Sequence, residues 1–363
     1  MYDVITIGTA TRDGFFEGIN FTNIKDERFR VGEGICLPLG SKIEAPKVTF
    51  TTGGVGTNAA TTFSRQGLKT AVICRVGSDV SGEEIIRGLR REKIDTGFIQ
   101  KDFDTPTAYS VIFLTQSGER TIISYKGTGE ELSEKEIPWS KLKTCLSPAR
   151  SDKVDKAKWF YIGSLGGNKK LLQALLSFAK NNKIKVAGNP GGRELEIFKA
   201  KPELLDNYNV LIINQEEASF LTGIPYQQER EIFEKLDNWV KGIVVMTKGP
   251  GGLAVSDGQA IWRAGTFKEK KIVDRTGAGD AFGSGFVSGL IQKDQSLDLK
   301  SNILNPEIIQ YAIRLGSANA TSVVEYIGAK EGIVTKNDFE KSARWNNLKI
   351  SAEGGSAFGG KNN

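Results

Sequence analysis

The chain has 363 residues and no histidine. That absence removes Ser-His-Asp and Cys-His chemistry and the H-E-x-x-H metalloproteases. Any general base must be Asp, Glu, Lys, Tyr or Cys. The three cysteines, Cys36, Cys74 and Cys145, lie far apart and form no C-x-x-C pair, so neither a disulfide framework nor a thiolate zinc site is expected. No apolar run approaches a membrane span, and the opening "MYDVITIGTATRD" lacks the basic flank and apolar core of a signal peptide. A cytoplasmic protein without membrane partners is expected. There is no G-K-[ST], hence no Walker A loop, and "GTATRD" after the first apolar run is not a G-x-G-x-x-G, which argues against an NAD-linked oxidoreductase. The charge excess is small, 49 Lys and Arg against 43 Asp and Glu. Interleaved signs read as a solvated face rather than a nucleic-acid surface, although a mild positive field would suit small anions.

What is present is an alternation of short β-branched runs and helical patterns. "DVITIG", "TAVICRVG", "KWFYIG", "IKVAG", "VLIIN" and "GIVVMTKG" are separated by stretches such as "KKLLQALLSFAKNN" and "EREIFEKLDNWVK". This order argues an α/β fold with a doubly wound, mostly parallel sheet flanked by helices. "SGEEIIRGLRREKI" is read as a helix opened by a capping box, Ser81 with Glu84. Two stretches break the alternation. "KVTFTTGG" and "TAYSVIFLTQSGERTIISYKG" read as strands without helices, the second turning at Ser117-Gly118. The expectation is one α/β domain over residues 1–345, a small β-lid from segments about 12–52 and 105–127, and a flexible Gly/Ser/Asn-rich tail over 346–363.

The run "VDRTGAGDAFGSGFVSGL" at 273–290 places a single carboxylate, Asp280, just after a glycine-rich turn into a helix. Such a turn leaves backbone N–H groups unpaired, and with the helix dipole they form an anion site. Gly277 and Gly279 permit close backbone approach, and the dipole is expected to keep Asp280 ionised. An ionised acid beside a phosphate site suits phosphoryl transfer. By itself the run reads equally well as a capped, tightly packed helix. "TTGGVGTNAATTFSRQG" at 51–67 is a second glycine turn, with Gly53, Gly54 and Asn58 before a small-residue helix that is expected to start near Asn58. It suits a hydroxylated ligand and suits a purely structural turn as well.

With both stretches in order, the chain resembles the ribokinase-like (PfkB) carbohydrate kinases over roughly residues 3–335. "DRTGAGDAF" looks like that family's C-terminal signature and "GGVGTNAA" like its N-terminal one. The resemblance implies Asp280 as catalytic base and Gly277, Ala278 and Gly279 as anion hole. It nominates Asp13, Gly53, Gly54, Asn58 and Arg193 for the acceptor. It nominates Asn214, Thr247, Lys248, Gly249, Gly252 and Asn319 for ATP, and Glu217 for Mg²⁺ through water. Asp274 and Thr276 occupy the stretch matching a K⁺ site, closed by "EYIGAK", and a homodimer through the lid is implied too. The chain departs from ribokinases in carrying Val55 where they usually carry a Lys, and "YIGSLGG" lacks their strand-end Glu. "NPGGR" looks more like fructokinases. The expected activity is ATP-dependent phosphorylation of a primary hydroxyl on a small sugar or sugar acid. The alternatives are a nucleoside kinase, whose pocket Phe15, Phe16, Phe21 and Val55 would line, and a non-catalytic sugar or nucleotide sensor.

Overall fold

The computed structural model describes residues 1–29, 32–115, 120–146, 158–293 and 305–354. Six short strands run parallel in the order Thr70–Ile73, Val4–Ile7, Trp159–Ile162, Lys185–Gly188, Val210–Asn214 and Ile243–Thr247. Three more, Leu253–Ser256, Ile261–Ala264 and Ile350–Glu353, extend the sheet antiparallel. The parallel strands are mostly apolar because both faces are covered. Alternate residues serve different layers. Phe160, Leu211, Ile213 and Val244 face the helices Lys169–Asn181, Gly192–Ala200, Gln215–Thr222 and Glu229–Trp239. Tyr161, Val210, Ile212 and Val245 face the helices Val55–Arg65, Ala278–Lys293 and Pro306–Val323. Each large side chain so enclosed contributes about 1.5–3 kcal/mol.

The last two of these helices touch closely. A Cβ on Gly289 would lie 2.6 Å from Ala312 Cα, so only glycine allows that approach. This fixes the glycine-rich helix, and with it the turn at its start, against a rigid neighbour.

A second sheet has the order Arg120–Tyr125, Tyr109–Leu114, Thr11–Glu17, Lys47–Gly53, with its central pairing parallel and its outer pairings antiparallel. Phe15, Ile112 and Leu114 form a small core of their own on one face, with Ile327 packed against them. A hairpin, Thr22–Lys25 with Glu33–Cys36, stands apart from this sheet. The expected turn at Ser117-Gly118 lies outside the described residues.

Three local expectations need correction. The helix Val80–Arg91 is capped by Asp79, not Ser81: Asp79 accepts from Gly82 N at 2.8 Å and also from Thr107 N and Oγ1. A carboxylate tying the helix start to the loop at Thr107 outcompetes a hydroxyl two residues on. The helix expected near Asn58 starts at Val55. The segment expected to be a flexible tail includes an edge strand, since Ile350–Glu353 pairs with Ile261–Ala264. Residues 355–363 lie outside the described set. Among the described residues no helix is long and apolar enough to cross a membrane.

Candidate functional site

Two glycine turns meet where two helices begin. Gly54 has φ +94 before the helix Val55–Arg65, and a Cβ there would lie 2.5 Å from Thr9 O. Gly53 makes room for an acid: its Cβ would fall 2.2 Å from Asp13 Oδ2. Asp13 is buried and accepts from Thr11 Oγ1 at 3.2 Å. Burial raises its pKa, opposed by hydroxyls of Ser110 and Thr11 and by the charge of Lys330.

The second turn is built around Asp274. Its Oδ1 accepts from Thr276 N at 3.0 Å and Thr276 Oγ1 at 2.7 Å, and its Oδ2 from Gly328 N at 3.1 Å. The side chains of Asp274 and Thr276 therefore hold the turn together. Gly277 has φ +78, and a Cβ on it would lie 2.3 Å from Ala329 Cβ. The loop at 328–330 thus braces the turn from outside. Gly279 meets nothing within 4 Å, so its bare backbone faces open space.

Asp280 follows in the first turn of the helix Ala278–Lys293, and its Oδ2 accepts from Asn58 Nδ2 at 2.9 Å. Burial raises the Asp280 pKa, while the Asn58 amide and the Lys330 charge pull it down. The net direction is up, because desolvation outweighs the amide and the lysine charge together.

Ala278 and Gly279 also line a cleft of about 400 Å³. Its walls are mostly apolar, with Pro250, Leu253, Phe282, Ala320 and Val324 among them. Thr247, Gly249 and Gly252 line it as expected. Lys248 does not; its ammonium pairs with Glu229. Nor does Asn319, which is fully buried. Its Nδ2 donates to Thr62 Oγ1 at 3.1 Å and Ala281 O at 2.8 Å, and its Oδ1 accepts from Val334 N at 3.0 Å. The cleft wall is made by Ser317, Ala320, Thr321 and Val324 instead. Their i, i+3, i+4, i+7 spacing was readable, but small residues at that spacing equally mark helix packing.

Asn214 and Glu217 form a reciprocal cap on the helix Gln215–Thr222: Asn214 N donates to Glu217 Oε2, and Glu217 N to Asn214 Oδ1, each at 2.8 Å. Burial raises the Glu217 pKa. Arg193 Nη1 donates to Glu130 Oε2 at 2.6 Å and to Gly166 O at 3.1 Å, which ties it to the 165–167 loop. Its neighbour Glu194, which sequence reasoning passed over, is buried and fixes the 165–167 loop by accepting from Leu165 N and Gly167 N.

The aromatic pocket expected of a nucleoside kinase is not assembled. Phe15 is fully buried with Ile112 and Leu114. Phe16 and Phe21 both pack on Phe113, with centroids 6.0 and 5.7 Å apart. Strand alternation turns Phe16 and Phe113 away from the face that carries Asp13. Val55 packs over Gly163, whose Cβ would lie 2.3 Å from it.

The arrangement separates two compartments with one turn. Ala278 and Gly279 face the cleft, and the next side chain, Asp280, turns to Asn58.

Comparison with known proteins gives a family and a fold. The model of the pfkB family carbohydrate kinases matches residues 27–336. A ribokinase of Haemophilus influenzae is 29% identical over 294 residues, covering 79% of this chain and 85% of that protein. A cytidine kinase of Thermococcus kodakarensis is 26% identical over 259 residues, covering 70% and 84%. Among solved structures, an Arabidopsis thaliana ribokinase complexed with ribose and ATP superposes with a TM-score of 0.69 at 20% identity, covering 95% of this chain and 99% of that one. A Methanocaldococcus jannaschii nucleoside kinase gives 0.66 at 20% identity, covering 94% and 98%.

Proposed function

The chain belongs to the pfkB family of carbohydrate kinases and is an ATP-dependent phosphotransferase, and we propose that its acceptor is a primary hydroxyl of a small sugar or sugar acid. The observation that carries this reading is the Asp280–Asn58 contact at 2.9 Å, one residue beyond the turn that lines the cleft. ATP lies in the apolar cleft with its γ-phosphoryl group at the backbone N–H groups of Gly277 to Asp280. These donors take the charge that spreads over the group as it moves. Asp280 accepts the hydroxyl proton. Asp13 and Asn58 hold the other hydroxyls, which fixes the attacking oxygen in line.

Glu217 keeps Oε1 outside its capping contact, so the pair Asn214 and Glu217 fits a Mg²⁺ held through water. Such an ion would neutralise phosphate charge. The four-stranded sheet acts as a lid that excludes water from the acceptor. Its outer face carries Phe50 and Ile123, at 53% and 61% exposure, and we assign this face to a homodimer contact. The place of work is cytoplasmic.

The test is an ATP-coupled assay over pentoses, hexoses, sugar acids and nucleosides. Turnover on a free sugar or sugar acid is expected. Turnover on nucleosides alone would move the protein to the nucleoside branch of the family. No transfer to any hydroxyl would favour a sensor.

A further inference from the structure

Three polar atoms beneath the acceptor site are buried without a hydrogen-bond partner among the described residues: Asn58 Oδ1, Tyr161 OH and Thr6 Oγ1. Their side chains are at 4%, 0% and 0% exposure. Folded proteins rarely leave such atoms unsatisfied, because each has given up its water.

The three are neighbours. Thr6 and Tyr161 are register partners on adjacent parallel strands, so they point to the same face of the sheet. That face is the one covered by the helices carrying Asn58 and Asp280. The Tyr161 ring stands edge-on to Phe63 of the first helix, centroids 5.4 Å apart. Its hydroxyl reaches the second: a Cβ on Gly283 would lie 2.6 Å from it. Gly283 is three residues past Asp280, hence on the same helix face. Burial and the nearby Asp280 charge both push the Tyr161 phenol well above its usual pKa, so it stays a neutral donor.

The atoms are also complementary in kind. Asn58 Oδ1 can only accept, and the two hydroxyls can donate. The amide has two orientations, and only one offers an N–H to Asp280. The other would set its oxygen against the carboxylate. A donor on the Oδ1 side decides between them.

We propose that Tyr161, assisted by Thr6, is a positioning residue for Asp280: its hydroxyl reaches Asn58 Oδ1 through one enclosed water and keeps the amide turned toward the base. An internal water needs two to four polar partners, and these three buried atoms supply that number. The role rests on the reading of Asp280 as general base.

The experiment uses the full chain with Tyr161→Phe and, as a second isosteric variant, Thr6→Val, each also combined with Asp280→Asn. Turnover, both KM values and thermal midpoint are measured. Tyr161→Phe is expected to lower kcat about 3- to 10-fold, the worth of one net hydrogen bond, with both KM values nearly unchanged. It is expected to lower the midpoint by about 1–3 °C. In the Asp280→Asn background it should cost nothing further, since it acts through that side chain. Thr6→Val should show the same pattern, smaller. A higher midpoint with unchanged kcat would show that the hydroxyl is simply unpartnered and would overturn the proposal. So would an equal kcat loss in both backgrounds. If the unaltered protein phosphorylates no tested hydroxyl, the kinase reading fails, and the sign of the thermal shift still decides for or against the buried cluster.

Discussion

Asn58 and Asp280 stand 222 residues apart in the chain and 2.9 Å apart in the structure. Each follows a glycine turn at the start of its own helix, and the bond ties the two turns together. The amide favours the ionised carboxylate, yet burial is the larger influence and leaves the pKa raised. Asp280 is therefore a stronger base than an exposed aspartate, and it must lose a proton that it holds more firmly.

Asp280→Asn keeps the size of the side chain and the backbone donors but removes the base. A fall in kcat of roughly 10²–10⁴ is expected, the range for general acid–base groups, with ATP KM little changed. Near-normal kcat on the true acceptor would eliminate Asp280 as the base.

The same carboxyl sets the acid side of the pH profile. The base works deprotonated, so kcat should fall as pH drops through the raised Asp280 value. The limb should lie above the ordinary aspartate range of about 3.9. A profile flat down to that range would contradict the raised value.

Lys330 controls a different pH window. Its ammonium donates to Thr52 Oγ1 at 2.9 Å, and burial lowers its pKa to about 8. In the unfolded chain it titrates near the ordinary lysine value of about 10.4. Between these values the unfolded state binds the extra proton, so stability rises with pH across that window from this group. Below about 8 the folded protein bears the cost of the buried charge. Lys330→Met should raise the urea midpoint at pH 7 and remove that upward slope. A midpoint that drops at both pH 7 and pH 9.5 would mean that the ammonium stabilises the loop instead.

Gly277 and Gly279 look alike in sequence and differ in the fold. Gly277 combines positive φ with Ala329 at its back, whereas Gly279 faces open space. Gly277→Val should therefore destabilise the turn itself and lower the thermal midpoint. Gly279→Ala should leave the midpoint within about 1 °C and weaken ATP binding, because its backbone wall is where the nucleotide approaches. Equal thermal losses in both variants would refute this division.

The main sheet was legible because parallel strands buried on both faces must be continuously apolar, as Val210–Ile213 are. The glycine turn that ends in Asp280 was legible because its glycines and acid are local. What escaped depends on long-range partners. Asn319 looked like a nucleotide contact, but its three bonds go to Thr62, Ala281 and Val334, remote in sequence. Lys248 sits in the expected loop, yet Glu229 captures it. Asp79 took the cap from Ser81 because Thr107 offered two further donors. Phe16 lies three residues from Asp13 in one strand, so it takes the opposite face, a parity that shows once the run is known to be a continuous strand.

The last prediction concerns the outer face of the small sheet. One row across it runs Phe50, Gly14, Val111, Ile123 and the next Thr52, Arg12, Tyr109, Tyr125. Phe50 and Tyr125 are half exposed and Ile123 more so, with Val48 beside them at 40%. Among the described residues the outer strands Lys47–Gly53 and Arg120–Tyr125 pair on one side only. An apolar face between two open edges is a surface that monomers usually blunt. A second copy placing the same face here would bury it symmetrically, and a stable contact needs about 1,200–2,000 Å² in total. Sedimentation at micromolar concentration is expected to show a dimer, and Phe50→Lys with Ile123→Lys a monomer of unchanged thermal stability. If the unaltered protein sediments as a monomer at every concentration tested, this face is the bare back of a lid and the dimer assignment is wrong.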